Sequence, residues 1–300
     1  MSINDLSRGI DLEDAARRRA QLVHRGLDLN NLDETTEEEK AAFRSHYHAQ
    51  FGYDHKGLDF WLDANPAILK RYRLWAGLTL PVRGAQIPGH GYLAFYALLG
   101  YEEGVRYTLP GRGKNKQYAM EQVGIAFLHC GPAGMETIAR ALDGLTWPEQ
   151  DEPVEYKAPY FPDPEAFATG IDFSSPDLTP EEFGKIEAWY ERYLGEVPGH
   201  VHFLGQHRPA MLKAHRNRIE NLLEVSPKQS LPISLLHFFV LTGHGPGIRE
   251  NVLLARGFGV HKEDMLSAIA NALAYAGPEG ATLVHEVAGK EIDAWPAELS

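Results

Sequence analysis

ISLLHFFVLTGHGPGIRENVLLARGFGVHKEDMLSAIANALAYAGPEG, running from Ile233 to Gly280, reads as apolar helices separated by glycine. A Gly-His-Gly-Pro-Gly turn and an Arg-Glu-Asn start precede one helix, a Gly-Phe-Gly-Val break ends it, and a second helix follows. Met265, Ile269 and Leu273 recur at i, i+4 and i+8, which places them on one helical face. Gly277-Pro278 closes that helix and opens another, because proline suits the first helical position.

The same order occurs earlier in the chain. Shifted by 143 residues, Thr36, Glu38 and Glu39 pair with Thr179, Glu181 and Glu182, Tyr47 with Tyr190, and Gly52 with Gly195. Without a gap, PAILKRYR (Pro66 to Arg73) meets PAMLKAHR (Pro209 to Arg216), identical at five of eight positions. Gly100, Gly104 and Arg106 then meet Gly243, Gly247 and Arg249. After a three-residue difference in length, AFLHCGPAG (Ala126 to Gly134) meets ALAYAGPEG (Ala272 to Gly280). A fixed offset of this kind marks a duplicated structural unit. The expected organisation is an N-terminal helical arm over 1–32, a first repeat over 33–146, a proline-rich connector over 147–175 and a second repeat over 176–300. Within the arm, about Leu12 to Arg25 reads as a helix stopped by Gly26. No stretch alternates with the period of a strand, so the fold class is all-α.

Composition narrows the partners. The 300 residues carry a formal charge of −12, which disfavours a sequence-independent hold on phosphate backbones and makes nucleic acid a poor partner. No run approaches the roughly 18 apolar residues that cross a bilayer, and the first residues lack the apolar core of a secretory signal. A cytoplasmic protein without membrane partners is the expectation. A single cysteine, Cys130, excludes an intrachain disulfide, a Cys-x-x-Cys redox pair and a multi-cysteine zinc site.

The arrangement of turn, helix, break and helix from Ile233 to Gly280 resembles the carboxymuconolactone decarboxylase and alkylhydroperoxidase D-like family. The second copy is similar to it over most of the repeat, and the first copy is a more degenerate match. Gly259 to Asp264 looks like the family's second helix start. Counting back from it places Asn251 where peroxidatic members carry a histidine, Gly247 at the second cysteine and His244 at the first. Thiol peroxidase turnover needs a thiolate and a resolving partner, so disulfide cycling is excluded. Cys130 lies just before Gly131-Pro132, in the wrong helix for that role.

The resemblance implies the cysteine-free, decarboxylase side of the family: a lyase or hydrolase that works without metal or organic cofactor on a small carboxylated lactone. It also implies symmetric assembly, as a trimer of fused pairs or a pseudo-dimer. Such chemistry calls for a cation to hold a carboxylate and a group that moves a proton near neutral pH. Arg249 suits the first, since its planar fork matches carboxylates. His244 and His237 suit the second; seven residues apart, they return to one face if a single helix spans both. Glu250 is a supporting acid or a helix-start charge favoured by the dipole. In the first copy, Tyr101 stands opposite His244, Arg106 opposite Arg249, and His129 opposite Tyr275, making these three candidate substrate-binding residues.

Two other readings compete. One is a family member that binds a ligand or protein without turnover, consistent with the missing thiols. The other is metal chemistry through histidines such as His200, His202 and His207. On a helix, positions two apart point about 200° apart and cannot share an ion. No metal site is therefore assigned.

Overall fold

A Thr-x-x-Glu signature starts the first helix of each expected repeat, and both form the same reciprocal cap. The computed structural model describes residues 27–29, 31–51, 56–78, 91–109, 113–157 and 159–295. The helix expected over Leu12 to Arg25 lies outside them. Among the described residues there are thirteen α-helices and no strands. None of these helices is long and apolar enough to cross a membrane. The chain divides into two compact units, 1–84 and 85–300.

In the first unit, α1 (Glu37–Phe51), α2 (Lys56–Ala64) and α3 (Pro66–Leu78) enclose Phe43, Leu58, Leu62 and Leu69. Thr36 Oγ1 accepts from the Glu39 N–H at 3.2 Å, and the Glu39 carboxylate accepts from the Thr36 N–H at 2.9 Å. That reciprocal cap satisfies two donors a helix start would otherwise leave open. The buried ammonium of Lys70 reaches Glu39 at 2.8 Å and the Glu34 carbonyl at 2.7 Å.

The second unit holds α4 (Gly91–Leu98), α5 (Glu102–Thr108), α6 (Lys116–Phe127), α7 (Gly131–Leu142), α8 (Pro180–Leu194), α9 (Gly199–His207), α10 (Pro209–Glu220), α11 (Ser230–Thr242), α12 (Gly245–Gly257) and α13 (Lys262–Asp293). At α8 the cap recurs 143 residues on: Thr179 and Glu182 bond reciprocally at 3.2 and 2.9 Å. Lys213 binds Glu182 at 2.9 Å and the Asp177 carbonyl at 2.7 Å, the same pair of bonds Lys70 makes. A buried ion pair holds only with its hydrogen bonds satisfied, and here the capping bonds and the carbonyl supply them.

The glycine breaks recur too. Gly100 and Gly243 both take a left-handed conformation, with φ of 69° and 66°. Each is followed by a helix-capping residue of nearly equal dihedrals, Tyr101 at −92°, 88° and His244 at −93°, 87°. This turn corrects one expectation. Helix α11 ends at Gly243, so His237 and His244 do not share a helix and the seven-residue spacing does not align them.

Helices α11, α12 and α13 pack around Ile233, Leu236, Val252, Met265 and Ala272. Helix α13 is broken at Gly277, where φ is 64° and ψ −165°, and Pro278 starts its second half. Helix α4 lies on α11, with Gly91 so close to the His237–Phe238 backbone that no Cβ fits. The extended connector is largely exposed but anchored at a few points: Tyr160 and Phe167 are fully buried, and Ile171 joins Phe167 in the core around α8 and α10.

Candidate active site

A cavity of about 420 Å³ lies where α8, α9, α10, α11 and α12 meet. Its size is that of a small-molecule pocket, and its walls are mostly aromatic and aliphatic, among them Trp189, Leu235 and Phe239. Into this apolar chamber the fold brings His129, His200, His215 and His244, together with Tyr190, Glu250 and Asn251. Among the described residues, no lysine or arginine lines it.

Each polar side chain is held by its element. The turn at Gly243 sets His244 at the N-cap of α12, where its Nδ1 accepts the Gly247 N–H at 3.0 Å. The neutral ring therefore carries its proton on Nε2. Gly247 has to lack a side chain: a Cβ there would sit 2.6 Å from both His244 Nδ1 and the Phe239 ring. Asn251, one turn further on, donates to the Gly247 carbonyl at 2.9 Å. Glu250 is carried by the same helix, with its Oε2 3.6 Å from His200 Nδ1. On the other side of that imidazole, His200 Nε2 lies 3.5 Å from the Tyr190 hydroxyl. The His215 ring stands perpendicular to His200 at 5.9 Å. His129 enters from the turn before α7, stacked on Phe238 at 5.7 Å and edge-on to Phe239 at 5.0 Å.

Burial shapes the protonation of these groups. It lifts the Glu250 carboxyl to about 7, with the Glu196 charge adding to the rise. It lowers His215 to about 4, helped by the charges of His200 and Arg218, and His129 to about 4, helped by Arg218 and His244. His200 is lowered by burial alone. At neutral pH these three imidazoles are uncharged, while Glu250 is poised between its two forms.

His244, Glu250 and His129 thus meet in one chamber, whereas the other candidate residues lie elsewhere. His237 is fully buried in α11 against the Tyr92 ring at 4.5 Å and does not line the cavity. Arg249 points into an adjoining recess of about 470 Å³, bonded there to Glu196 and to Glu291 at 3.2 Å. Arg106 donates to the Ala141 carbonyl at 2.9 Å, and Tyr101 packs against Tyr96 at 5.3 Å. Burial pushes the Cys130 thiol up, which keeps it unreactive. Sequence reasoning missed His200 as a cavity residue, and with it His215 and Tyr190. His202, two positions on, turns to Glu187 at 3.5 Å, as helical geometry requires. Among the described residues, no group of three or more His, Cys, Asp or Glu side chains is arranged to hold a metal ion.

Because Glu196 is the charge that adds to the rise of Glu250, Glu196→Gln is expected to lower the Glu250 midpoint, read by carboxyl carbon NMR titration. An unmoved or raised midpoint would show that burial alone sets it.

Among the described residues the fold is all-α, and the chamber is apolar and lined by histidines beside Glu250. Comparison with protein-family models, curated proteins and solved structures found no match to the chain.

Proposed function

We propose that the cavity is the active site of a cofactor-independent lyase or hydrolase acting on a small ring-derived metabolite of the lactone type. The observation that carries this reading is Glu250, a carboxyl titrating near pH 7 and facing His200 at 3.6 Å inside an apolar chamber. A general base or acid works best when its pKa lies near the operating pH. In ring opening, ionised Glu250 takes a proton from water as its oxygen bonds to the lactone carbonyl. The ring C–O bond breaks, and the departing oxygen takes the proton that Glu250 removed from water, which restores the carboxylate, while the His244 Nε2–H donates a hydrogen bond to the carbonyl oxygen.

The substrate body is uncharged. An ionised ligand would lose its hydration in a chamber with no cationic lysine or arginine on its wall. Arg249, engaged by two carboxylates outside, is not available as a carboxylate anchor there. The tandem alkylhydroperoxidase D-like architecture belongs to the same proposal. It is supported by the Thr–Glu cap, the buried Lys–Glu pair and the glycine turn, each recurring 143 residues apart.

The test is a panel of lactones, neutral and carboxylated, followed for ring opening and CO2 release. Neutral members are expected to turn over faster, with a rate that rises with pH through a midpoint near 7. Saturable binding without turnover assigns a ligand-carrying role instead, and neither binding nor turnover by the folded protein overturns the proposal.

A further inference from the structure

Below the cavity floor lies a cation that the proposed chemistry has not used. Arg216 is fully buried in α10, its guanidinium 4.2 Å from the Trp189 ring centre and 5.8 Å from that of Tyr190. Two of its three nitrogens are fixed. Nη2 donates to the Phe167 carbonyl at 2.7 Å and to Glu220 Oε1 at 3.2 Å, and Nε donates to the same oxygen at 3.3 Å. Glu220 is itself held by Thr169, whose N–H donates at 3.1 Å and whose hydroxyl also donates. Nη1 has no hydrogen-bond partner among the described residues. A buried charged donor left this way is costly, and its field acts on the polar groups around it. One of them is the Tyr190 phenol, whose ring centre lies 5.8 Å from the guanidinium: burial raises it to about 12, and the charge of Arg216 opposes the rise.

A phenol oxygen facing a guanidinium presents its lone pairs to the cation and turns its hydrogen away. The other group beside that hydroxyl is His200 Nε2, at 3.5 Å. If the hydroxyl donates there, Nε2 is the acceptor, and a neutral imidazole then carries its one proton on Nδ1. Nδ1 is the atom 3.6 Å from Glu250. The opposite tautomer would set a lone pair against a carboxylate. Around His200 the other titratable neighbour is His215, perpendicular at 5.9 Å and neutral at pH 7.

We infer that Arg216, acting through the Tyr190 hydroxyl, holds the His200 proton on Nδ1 so that it faces Glu250, making Arg216 and Tyr190 positioning residues for the acid–base pair. This rests on the reading of the cavity as an acid–base site, yet the tautomer is measurable without turnover, so the two fail separately. Loss of all lactone activity with the tautomer intact would sink the enzymatic reading alone.

The experiment is long-range proton–nitrogen correlation on the uniformly labelled full chain at pH 8, with His200 assigned by loss of its signals in His200→Gln. In the wild type, Nδ1 is expected in the protonated, pyrrole-like range and Nε2 in the unprotonated, pyridine-like range. Tyr190→Phe removes the donor, and the two ring nitrogens are expected to exchange ranges or average between them, with helical content unchanged. Arg216→Lys keeps a charge but not the planar fork, and is expected to give an averaged pair. A wild-type His200 protonated on Nε2, or a Tyr190→Phe protein that keeps the Nδ1 proton, overturns the inference. Tyr190→Phe keeps the question decidable if the arginine variant does not fold.

Discussion

Glu250→Gln is expected to lower lactone turnover by about a hundred- to ten-thousand-fold, the range over which a positioned acid or base contributes. The amide preserves shape, so the loss isolates proton transfer. The same change is expected to stabilise the fold in alkali. Folded Glu250 titrates near 7 against an ordinary 4.5, so the native state holds its proton longer than the unfolded chain. Wild-type stability therefore falls as pH rises from about 4.5 to 7, and the cost is complete above that. Glutamine carries no such cost. The variant should match wild type at pH 4 and exceed it at pH 8 by something on the order of 2 kcal/mol, measured by urea unfolding. His129 and His215 act in the opposite sense: held neutral in the fold, they cost stability as pH falls from 6.5 towards 4. Both proteins share that acid limb, so their difference reports Glu250. Equal stability at pH 4 and pH 8 would mean that the carboxyl is not raised.

Gly257→Ala is expected to cost about 3 kcal/mol, at the upper end for overpacking. A Cβ at Gly257 runs into the Tyr193 carbonyl, and both partners are backbone within helical neighbourhoods, so neither can rotate aside. The position joins α12 to α8, and those helices carry the two sides of the site: His244, Glu250 and Asn251 on α12, Trp189 and Tyr190 on α8. Forcing them apart should widen the cavity as well as weaken the fold. A lowered denaturation midpoint together with weakened lactone binding is the expected result. A variant as stable as wild type would show that the helices meet less closely at Tyr193.

The helical frame was legible because its signals are local or periodic. Thr36 with Glu39, and Thr179 with Glu182, announce their caps within four residues, and the offset of 143 shows in the text of the chain. The alignment of His237 with His244 failed for a local reason, since the left-handed Gly243 ends the helix that would have joined them. Part of the site was equally local: His244 and Glu250 stand at one helix start, and His129 at the turn opposite. His200, His215 and Tyr190 were missed because periodicity shows which face of a helix is apolar, without showing which distant face will cover it. Comparing the copies held a clue. Lys213 and Arg216 match Lys70 and Arg73, whereas His200, His215, His244 and Glu250 face Gly57, Tyr72, Tyr101 and Tyr107. Frame retained and chemistry changed is the pattern expected under the proposed function, with the site in the second copy alone.

The connector over 147–175 behaves as several short loops. Asp151 accepts the Lys116 N–H at 2.7 Å, at the start of α6. The Tyr160 hydroxyl donates to Asp264 at 2.8 Å and accepts the His261 N–H at 2.6 Å, at the start of α13. Phe167 is anchored in the core, and Thr169 is tied to Glu220. Closing a loop costs entropy that grows only with the logarithm of its length, so dividing one span among such anchors matters more than how many residues it contains. The segment over 147–175 thus serves as a strap, pinned at Tyr160 and Phe167.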